Sequence, residues 1–174
     1  SPSLAKKYVE YVFGNLPKGT NNNDEKKSNF LSKGESVFNI ETPQTTVVFG
    51  QRGLNREHKD FFAARIVNYV LGGGGFQSRL YKEIREKNGL VYSIYSYLLP
   101  YETFGVIMGG FQTRNENVWE TIEKVKNEWS KIKSLGITKN ELESAKTYYK
   151  GSFSRNFTST LSIASLLKTV QYYN

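Results

Sequence analysis

The sequence has 174 residues, a formal net charge of +8 and no cysteine. This length is sufficient for one ordinary domain with a buried core. Without cysteine the chain has no disulfide, no thiol nucleophile and no cysteine-ligated metal site, and no apolar run approaches the about 20 residues that span a bilayer. Because the lysines are spread along the chain, we interpret the charge as mostly solvated surface and keep nucleic-acid binding as a minor alternative.

The first predicted element is a helix at the start of the chain, followed by a polar linker. Pro2 suits a first helical position, Gly14 suits a C-terminal cap, and the apolar residues between them recur at helical spacing. Residues 18–35 are polar and rich in turn-forming types, which is typical of a linker or an exposed loop. The first residue is not Met, so we expect the chain to begin inside a longer product.

Strands and helices are predicted in separate blocks along the remaining residues. The predicted elements, in chain order, are strands at 36–40 and 45–51, helices at 58–71 and 78–87, a hairpin of strands at 90–99 and 103–111, and helices opening near residues 113, 138 and 159. Thr113-x-x-Glu116 and Thr138-x-x-Glu141 match the capping-box pattern. This order predicts an α+β fold, an antiparallel or mixed sheet covered on one face by helices as a two-layer sandwich. No strand is predicted after the last helix, so we expect a domain truncated at its C-terminal end.

The sequence is poor in groups that activate a nucleophile. His58 is the only histidine, and no second histidine lies one helical turn away. A zinc site of the H-E-x-x-H or H-x-x-E-H kind is therefore excluded within this chain. No G-x-S-x-G turn is present to hold a catalytic serine, so we assign His58 no catalytic role.

The glycine run at residues 72–75 does not fit a phosphate-binding loop. Such a loop follows a strand and continues as G-K-[ST] into a helix. Here the glycines follow a predicted helix and are succeeded by Phe76-Gln77-Ser78-Arg79. We interpret the run as a flexible joint between two helices, which could still move or let the backbone approach a peptide.

Several motifs resemble, in order and spacing, the second domain of the pitrilysin/insulinase-type zinc metallopeptidases, which include the mitochondrial processing peptidases. The matching segments are LGGG at 71–74, SRL at 78–80, IREK at 84–87 and GLVYS at 89–93. FGNLP at 13–17 resembles the end of the family's preceding domain, and GITKNELESAK at 136–146 resembles a helix opening of the second domain. The resemblance covers nearly the whole chain.

The resemblance implies a division of labour between two domains of one fold. In this family the first domain carries H-x-x-E-H and a distant glutamate that bind zinc, whereas the second domain lacks metal and closes a chamber around the peptide. Residues 1–16 would then be the terminal helix of the preceding domain, residues 17–35 a linker, and residues 36–174 the substrate-side, zinc-free domain. Zinc is expected in the preceding domain or in a partner subunit, and the assembly could be a homodimer or a heterodimer.

The resemblance also assigns candidate site residues. An arginine and a tyrosine in the family pattern R-x-x-x-x-x-x-Y reach the substrate near the metal, and Arg85 and Tyr92 stand in that relation here. Physically, a tight turn at Asn88-Gly89 between the end of a helix and the start of a strand can bring both side chains to one edge, where they offer donors to a peptide carbonyl. The alternative is that Arg85 pairs with Glu86 and that Tyr92 packs in the sheet.

Four further residues are weaker candidates for peptide contact: Gly74, Gly75, Phe76 and Gln77. The leading hypothesis is the substrate-binding, chamber-closing half of a zinc endopeptidase that cleaves peptides or unfolded segments and is inactive as an isolated chain. A metal-free partner or scaffold subunit of such a peptidase is the alternative. A basic nucleic-acid-binding domain is a remote third hypothesis.

Overall fold

A computed structural model of the chain describes residues 1–19 and 40–173, which belong to two separate units. In the first unit a helix, α1, spans Pro2–Phe13, as predicted. Ser1 caps its first turn through the side-chain hydroxyl, and Gly14 stands at its C-terminal cap. Within this unit no residue of the helix is buried.

The second unit is built on a three-stranded antiparallel sheet. Strand β1 spans Gln44–Gly53, β2 spans Ile94–Pro100 and β3 spans Gly105–Arg114. The strand order is β1-β3-β2, so the hairpin of β2 and β3 supplies the central strand and one edge of this sheet. The strand predicted at 36–40 falls mostly on residues outside the described ones.

Helices cover one face of the sheet. Ile94 of β2 lies opposite Phe111 of β3, and both are buried against a long helix, α3, which spans Val118–Leu135. On the other face Tyr95 and Tyr97 are exposed, with their rings stacked at 5.8 Å. The predicted α+β fold with helices on one face is therefore confirmed. The buried members of this core are Leu71, Leu80, Ile84, Val91, Ile94, Phe111 and Val125.

The remaining helical elements surround this core. They are α2 (Phe61–Asn68) with a π-helical turn directly after it (Tyr69–Gly73), a 3-10 turn (Gly75–Gln77), a π-helical segment (Tyr81–Lys87), two further 3-10 turns (Asn115–Asn117 and Ser154–Phe157), α4 (Lys139–Phe153) and α5 (Thr160–Tyr173). Ala145 of α4 is fully buried beside Tyr69 and Val70, which form a second, smaller core. This contact packs α4 against the π-helical turn Tyr69–Gly73, which contains the first two glycines of the run.

The strand predicted at 90–99 begins later than expected. Residues 90–93 form a loop, and β2 starts at Ile94. The apolar residues in front of Ile94 enter the core from this loop, since Val91 is buried and Leu90 packs against the same cluster. An apolar run can thus be buried without being a strand, which is the ambiguity of short hydrophobic segments.

The capping box predicted at Thr113-x-x-Glu116 is wrong. Thr113 belongs to β3, and its buried hydroxyl donates a hydrogen bond to the carbonyl of Leu90 at 2.6 Å. The helix that follows starts only at Val118. The capping box at Thr138 is confirmed, because its hydroxyl accepts from the Glu141 N–H and the Glu141 carboxylate accepts from the Thr138 N–H.

Candidate functional site

The π-helical segment ends in a tight reversal at Asn88-Gly89. Gly89 has a φ of +63°, the left-handed region that glycine adopts without a side-chain clash. Its N–H donates to the carbonyl of Arg85 at 3.0 Å, and the next N–H, of Leu90, donates to the carbonyl of Ile84 at 3.1 Å. These two hydrogen bonds satisfy carbonyls near the end of the π-helical segment, and the chain reverses its direction there.

The reversal brings Arg85 and Tyr92 together. The centre of the Arg85 guanidinium lies 5.6 Å from the centroid of the Tyr92 ring. Tyr92 stands in the loop before β2 and is 86% exposed, so the predictions that it begins a strand or packs in the sheet are wrong. Among the described residues no carboxylate pairs with Arg85, so the alternative pairing with Glu86 is also not found.

A second aromatic residue, Tyr81, also lies beside Arg85. The guanidinium lies 4.7 Å from the centroid of the Tyr81 ring, which is within the range of a cation–π interaction. Phe76 in turn packs edge-on against Tyr81, with the centroids 4.8 Å apart. Phe76, Tyr81, Arg85 and Tyr92 therefore form one continuous set of contacts, which we call the Arg85 cluster.

Sequence reasoning missed Tyr81. The available signal was its spacing, because a residue four positions before Arg85 lies on the same side of a helical turn. The side chain is only 6% exposed, and its hydroxyl is buried with no hydrogen-bond partner among the described residues. Phe76 and Tyr92 are the exposed members of the cluster, whereas Tyr81 is buried.

The four weaker candidates are the consecutive residues 74–77, of which Phe76 belongs to the cluster. Gly75–Gln77 forms the short 3-10 turn, and Gly75 has a φ of +55°. A Cβ added at Gly74 would lie 2.7 Å from a backbone oxygen of the preceding π-helical turn. Of the four, Phe76 alone is brought into the Arg85 cluster by a side-chain ring contact, whereas the Gln77 amide oxygen accepts from Lys82.

An ion pair joins the residues just before the π-helical segment to α4. Arg79 donates through Nε and Nη2 to the two carboxylate oxygens of Glu141, at 2.6 and 2.7 Å. Hydrogen bonds from Arg79 and Thr138 lower the pKa of Glu141 from 4.5 to about 2. The hydrogen bond to Glu141 in turn raises the pKa of Arg79. Glu141 is thus both the clamp of the segment and a member of the Thr138 capping box.

The described residues do not fit a zinc ion. No group of three or more His, Cys, Asp or Glu side chains in residues 1–19 and 40–173 is arranged to hold a metal. His58 accepts a hydrogen bond from the Asp60 N–H through Nδ1 at 3.1 Å, a local contact ahead of α2. The cluster can therefore donate hydrogen bonds and present aromatic surface, but it supplies no metal ligand set.

None of the helices in the part of the chain that the structure describes is sufficiently long and apolar to cross a bilayer.

Comparison with known families decides the assignment. The family described as the peptidase M16 inactive domain matches residues 1–149. The chain belongs to this family. The match agrees with the resemblance seen in the sequence motifs, and the metallopeptidase context predicted from them is confirmed at the level of the family.

Curated relatives of this M16 inactive domain include proteins named as zinc proteases and a protein named as a non-peptidase homolog. A Bacillus subtilis protein, "Uncharacterized zinc protease YmxG", is 37% identical over 127 residues, which cover 69% of this chain and 29% of the relative. A Helicobacter pylori protein, "Non-peptidase homolog YmxG", is 32% identical over 121 residues, which cover 69% of this chain and 28% of that protein. The chain thus spans less than a third of the length of these relatives.

A solved structure agrees with the fold over the whole chain. The peptidase M16 inactive domain from Pseudomonas fluorescens is 32% identical, covers 100% of this chain with 42% of its own, and has a TM-score of 0.75. A protease from Helicobacter pylori has a TM-score of 0.71 over 96% of this chain and 42% of its own, at 21% identity, and supports the fold alone.

Proposed function

We propose that this chain is the substrate-binding, chamber-closing half of a zinc-dependent endopeptidase acting on peptides or unfolded segments. Residues 1–16 would end the preceding domain, residues 17–35 would link it, and residues 36–174 would form the zinc-free domain. The relatives with zinc-protease names support this, and zinc would be held by a preceding domain or a partner subunit. By itself the chain would not cleave peptides.

The observation that carries the proposal is the Arg85 cluster. An arginine that has no carboxylate partner among the described residues lies beside an exposed tyrosine hydroxyl that has no hydrogen-bond partner there either. A guanidinium presents up to five N–H donors and the phenol one O–H donor, so both are free to donate to the carbonyl groups of an extended peptide. Groups left unpaired at a surface are available for a ligand.

The chemistry follows from where these donors would be aimed. When a peptide carbonyl is attacked, negative charge develops on its oxygen, and a donor already in position stabilises that charge more than the ground state. Arg85 is suited to this because the Tyr81 and Tyr92 rings restrict where the guanidinium can move. Phe76 would contact an apolar side chain of the peptide, and the backbone at Gly74, Gly75 and Gln77 would approach its main chain.

Replacing Arg85 tests this role in a complete assembly with a zinc-bearing M16 domain. We expect Arg85→Ala to lower turnover about 10²–10³-fold, the usual cost of losing one such donor. Lys87→Ala removes another positive charge from the same segment, where Lys87 pairs with Glu83, and should leave turnover within about twofold because a surface ion pair contributes little.

A second function is favoured by one observation, the name "Non-peptidase homolog" given to the Helicobacter pylori relative. In that case the chain would be part of a metal-free partner or scaffold subunit. Turnover that is unchanged by Arg85→Ala would support the scaffold and contradict the catalytic role.

A further inference from the structure

The unit of residues 40–173 also contains a recess that is lined by none of the residues of the Arg85 cluster. It is a groove of about 770 Å³ between α2, the end of α4 and α5, a volume within the range of ligand-binding pockets. Its lining also includes apolar and aromatic side chains, among them Phe62, Ile66 and Leu166. We call it the basic groove because five cationic side chains line it: Arg56, Arg65, Lys146, Lys150 and Arg155.

The three arginines of the basic groove contact aromatic residues. The Arg65 guanidinium lies 4.9 Å from the ring centroid of Tyr149, whose hydroxyl donates back to the Arg65 carbonyl. Arg155 donates to the hydroxyl of Tyr148 at 3.4 Å, and Arg56 lies 4.6 to 5.2 Å from three ring centroids. Stacking orients a guanidinium and leaves its outward N–H groups free for an anion.

The lining of the basic groove carries an excess of positive charge. Of its five cations only Lys146 has a carboxylate partner among the described residues, Glu143 at 2.9 Å, and none of the described lining residues is acidic. Elsewhere in this unit, four lysines pair with glutamates three or four residues away. These pairs are Lys87–Glu83, Lys124–Glu120, Lys126–Glu123 and Lys131–Glu128. The basic groove therefore brings together five cations that have one carboxylate partner among the described residues.

We propose that the basic groove binds an acidic peptide segment, with carboxylates on its cations and an apolar side chain against its apolar lining residues. Arginine forks match carboxylates in a bidentate manner, and the pairing is strongest where the guanidinium is already oriented. Nucleic acid fits less well, because a phosphate backbone needs a continuous basic track, whereas four of the lysines outside the groove are already paired with glutamates. The site is separate from the proposed peptidase role and does not require it.

Binding is measured with the full chain and a short fluorescent peptide in which glutamates alternate with leucines. The matched peptide has glutamine in place of each glutamate, and a labelled single-stranded oligonucleotide is the competing ligand. The double variant Lys150→Glu/Arg155→Glu reverses two exposed charges of the groove. Its control, Lys133→Glu/Lys139→Glu, makes the same change in net charge at exposed positions that do not line the groove.

The wild-type chain should bind the glutamate peptide and not the glutamine peptide. The groove variant should lose about tenfold or more in affinity, as expected for charge-assisted hydrogen bonds, whereas the control variant should bind as wild type. Circular dichroism of both variants should match the wild type. The proposal is overturned if the wild type does not bind the glutamate peptide, if the control loses as much affinity, or if the oligonucleotide binds more tightly through the same residues.

Discussion

At the residue scale, the buried hydroxyl of Tyr81 is the feature that local packing does not explain. Leaving a polar group buried without a partner costs about 1–3 kcal/mol of folding free energy. The aromatic ring of Tyr81, by contrast, contacts both Arg85 and Phe76. We therefore infer that the ring of Tyr81 positions Arg85 and that its hydroxyl is dispensable.

Two substitutions at Tyr81 separate these contributions. Tyr81→Phe keeps the ring and removes the unpaired hydroxyl, so the free energy of unfolding should rise by about 1 kcal/mol, with turnover of the complete assembly unchanged. Tyr81→Leu removes the ring, so turnover should fall while KM changes little, because the donor is then poorly aimed. Urea unfolding and steady-state kinetics measure the two effects.

The Arg85→Ala background makes the Tyr81 test specific. If the ring acts through Arg85, Tyr81→Leu should have no further effect on turnover once Arg85 is absent. Equal effects of Tyr81→Leu with and without Arg85 would show that the ring is only structural, although Arg85 itself could still be catalytic. A loss of turnover in Tyr81→Phe would contradict a dispensable hydroxyl.

The family resemblance implied that Arg85 and Tyr92 act together, and the glycine between a helix end and an apolar run predicted the reversal that brings them close. The position of Tyr92 in the loop could not be predicted, since Val91 beside it looks like strand sequence. Tyr81 was missed because its importance depends on which neighbours its ring touches. The functional roles of these side chains remain predictions.

At the element scale, the reversal at Gly89 determines whether the Arg85 cluster can form. The positive φ of Gly89 disfavours any residue with a Cβ by about 1–2 kcal/mol, and no atom lies near enough to add a clash. Gly89→Ala should therefore lower the free energy of unfolding by about that amount in urea titrations. Gly151→Ala is the control, because Gly151 is within α4 with open space around its Cβ position and should be stabilised by about 0.5–1 kcal/mol.

If Gly89→Ala is as stable as the wild type, the left-handed turn is not a constraint and our description of the reversal is wrong. If Gly151→Ala is destabilised, the urea assay does not isolate backbone conformation at these positions.

The Arg79–Glu141 clamp predicts a pH dependence of stability. Because the folded-state pKa of Glu141 is lowered to about 2, its ionised form stabilises the fold. That contribution is fully present above the ordinary pKa near 4.5 and is lost as the pH falls toward 2. Urea unfolding midpoints should therefore drop over this window, and the drop should be smaller in Glu141→Gln. An equal drop in both proteins would contradict the clamp.

At the scale of the whole molecule, the separation of hairpin-linked strands from blocks of helices was enough to predict the α+β class. The strand order β1-β3-β2 could not be predicted, because a hairpin can add to a strand on either side. The π-helical geometry of Tyr81–Lys87 was also not predictable, since its apolar spacing is that of an ordinary helix. The second unit contains the Arg85 cluster and the basic groove, and its described residues hold no arrangement for a metal.

We propose that this M16 inactive domain contributes to peptide cleavage only together with a zinc-bearing domain. The most direct measurement is chelator-sensitive cleavage of an unstructured, quenched-fluorescence peptide, by the pure chain and by the chain joined to such a domain. We predict no cleavage by the chain alone and chelator-sensitive cleavage by the joined protein. Chelator-sensitive cleavage by the pure chain alone would contradict the account.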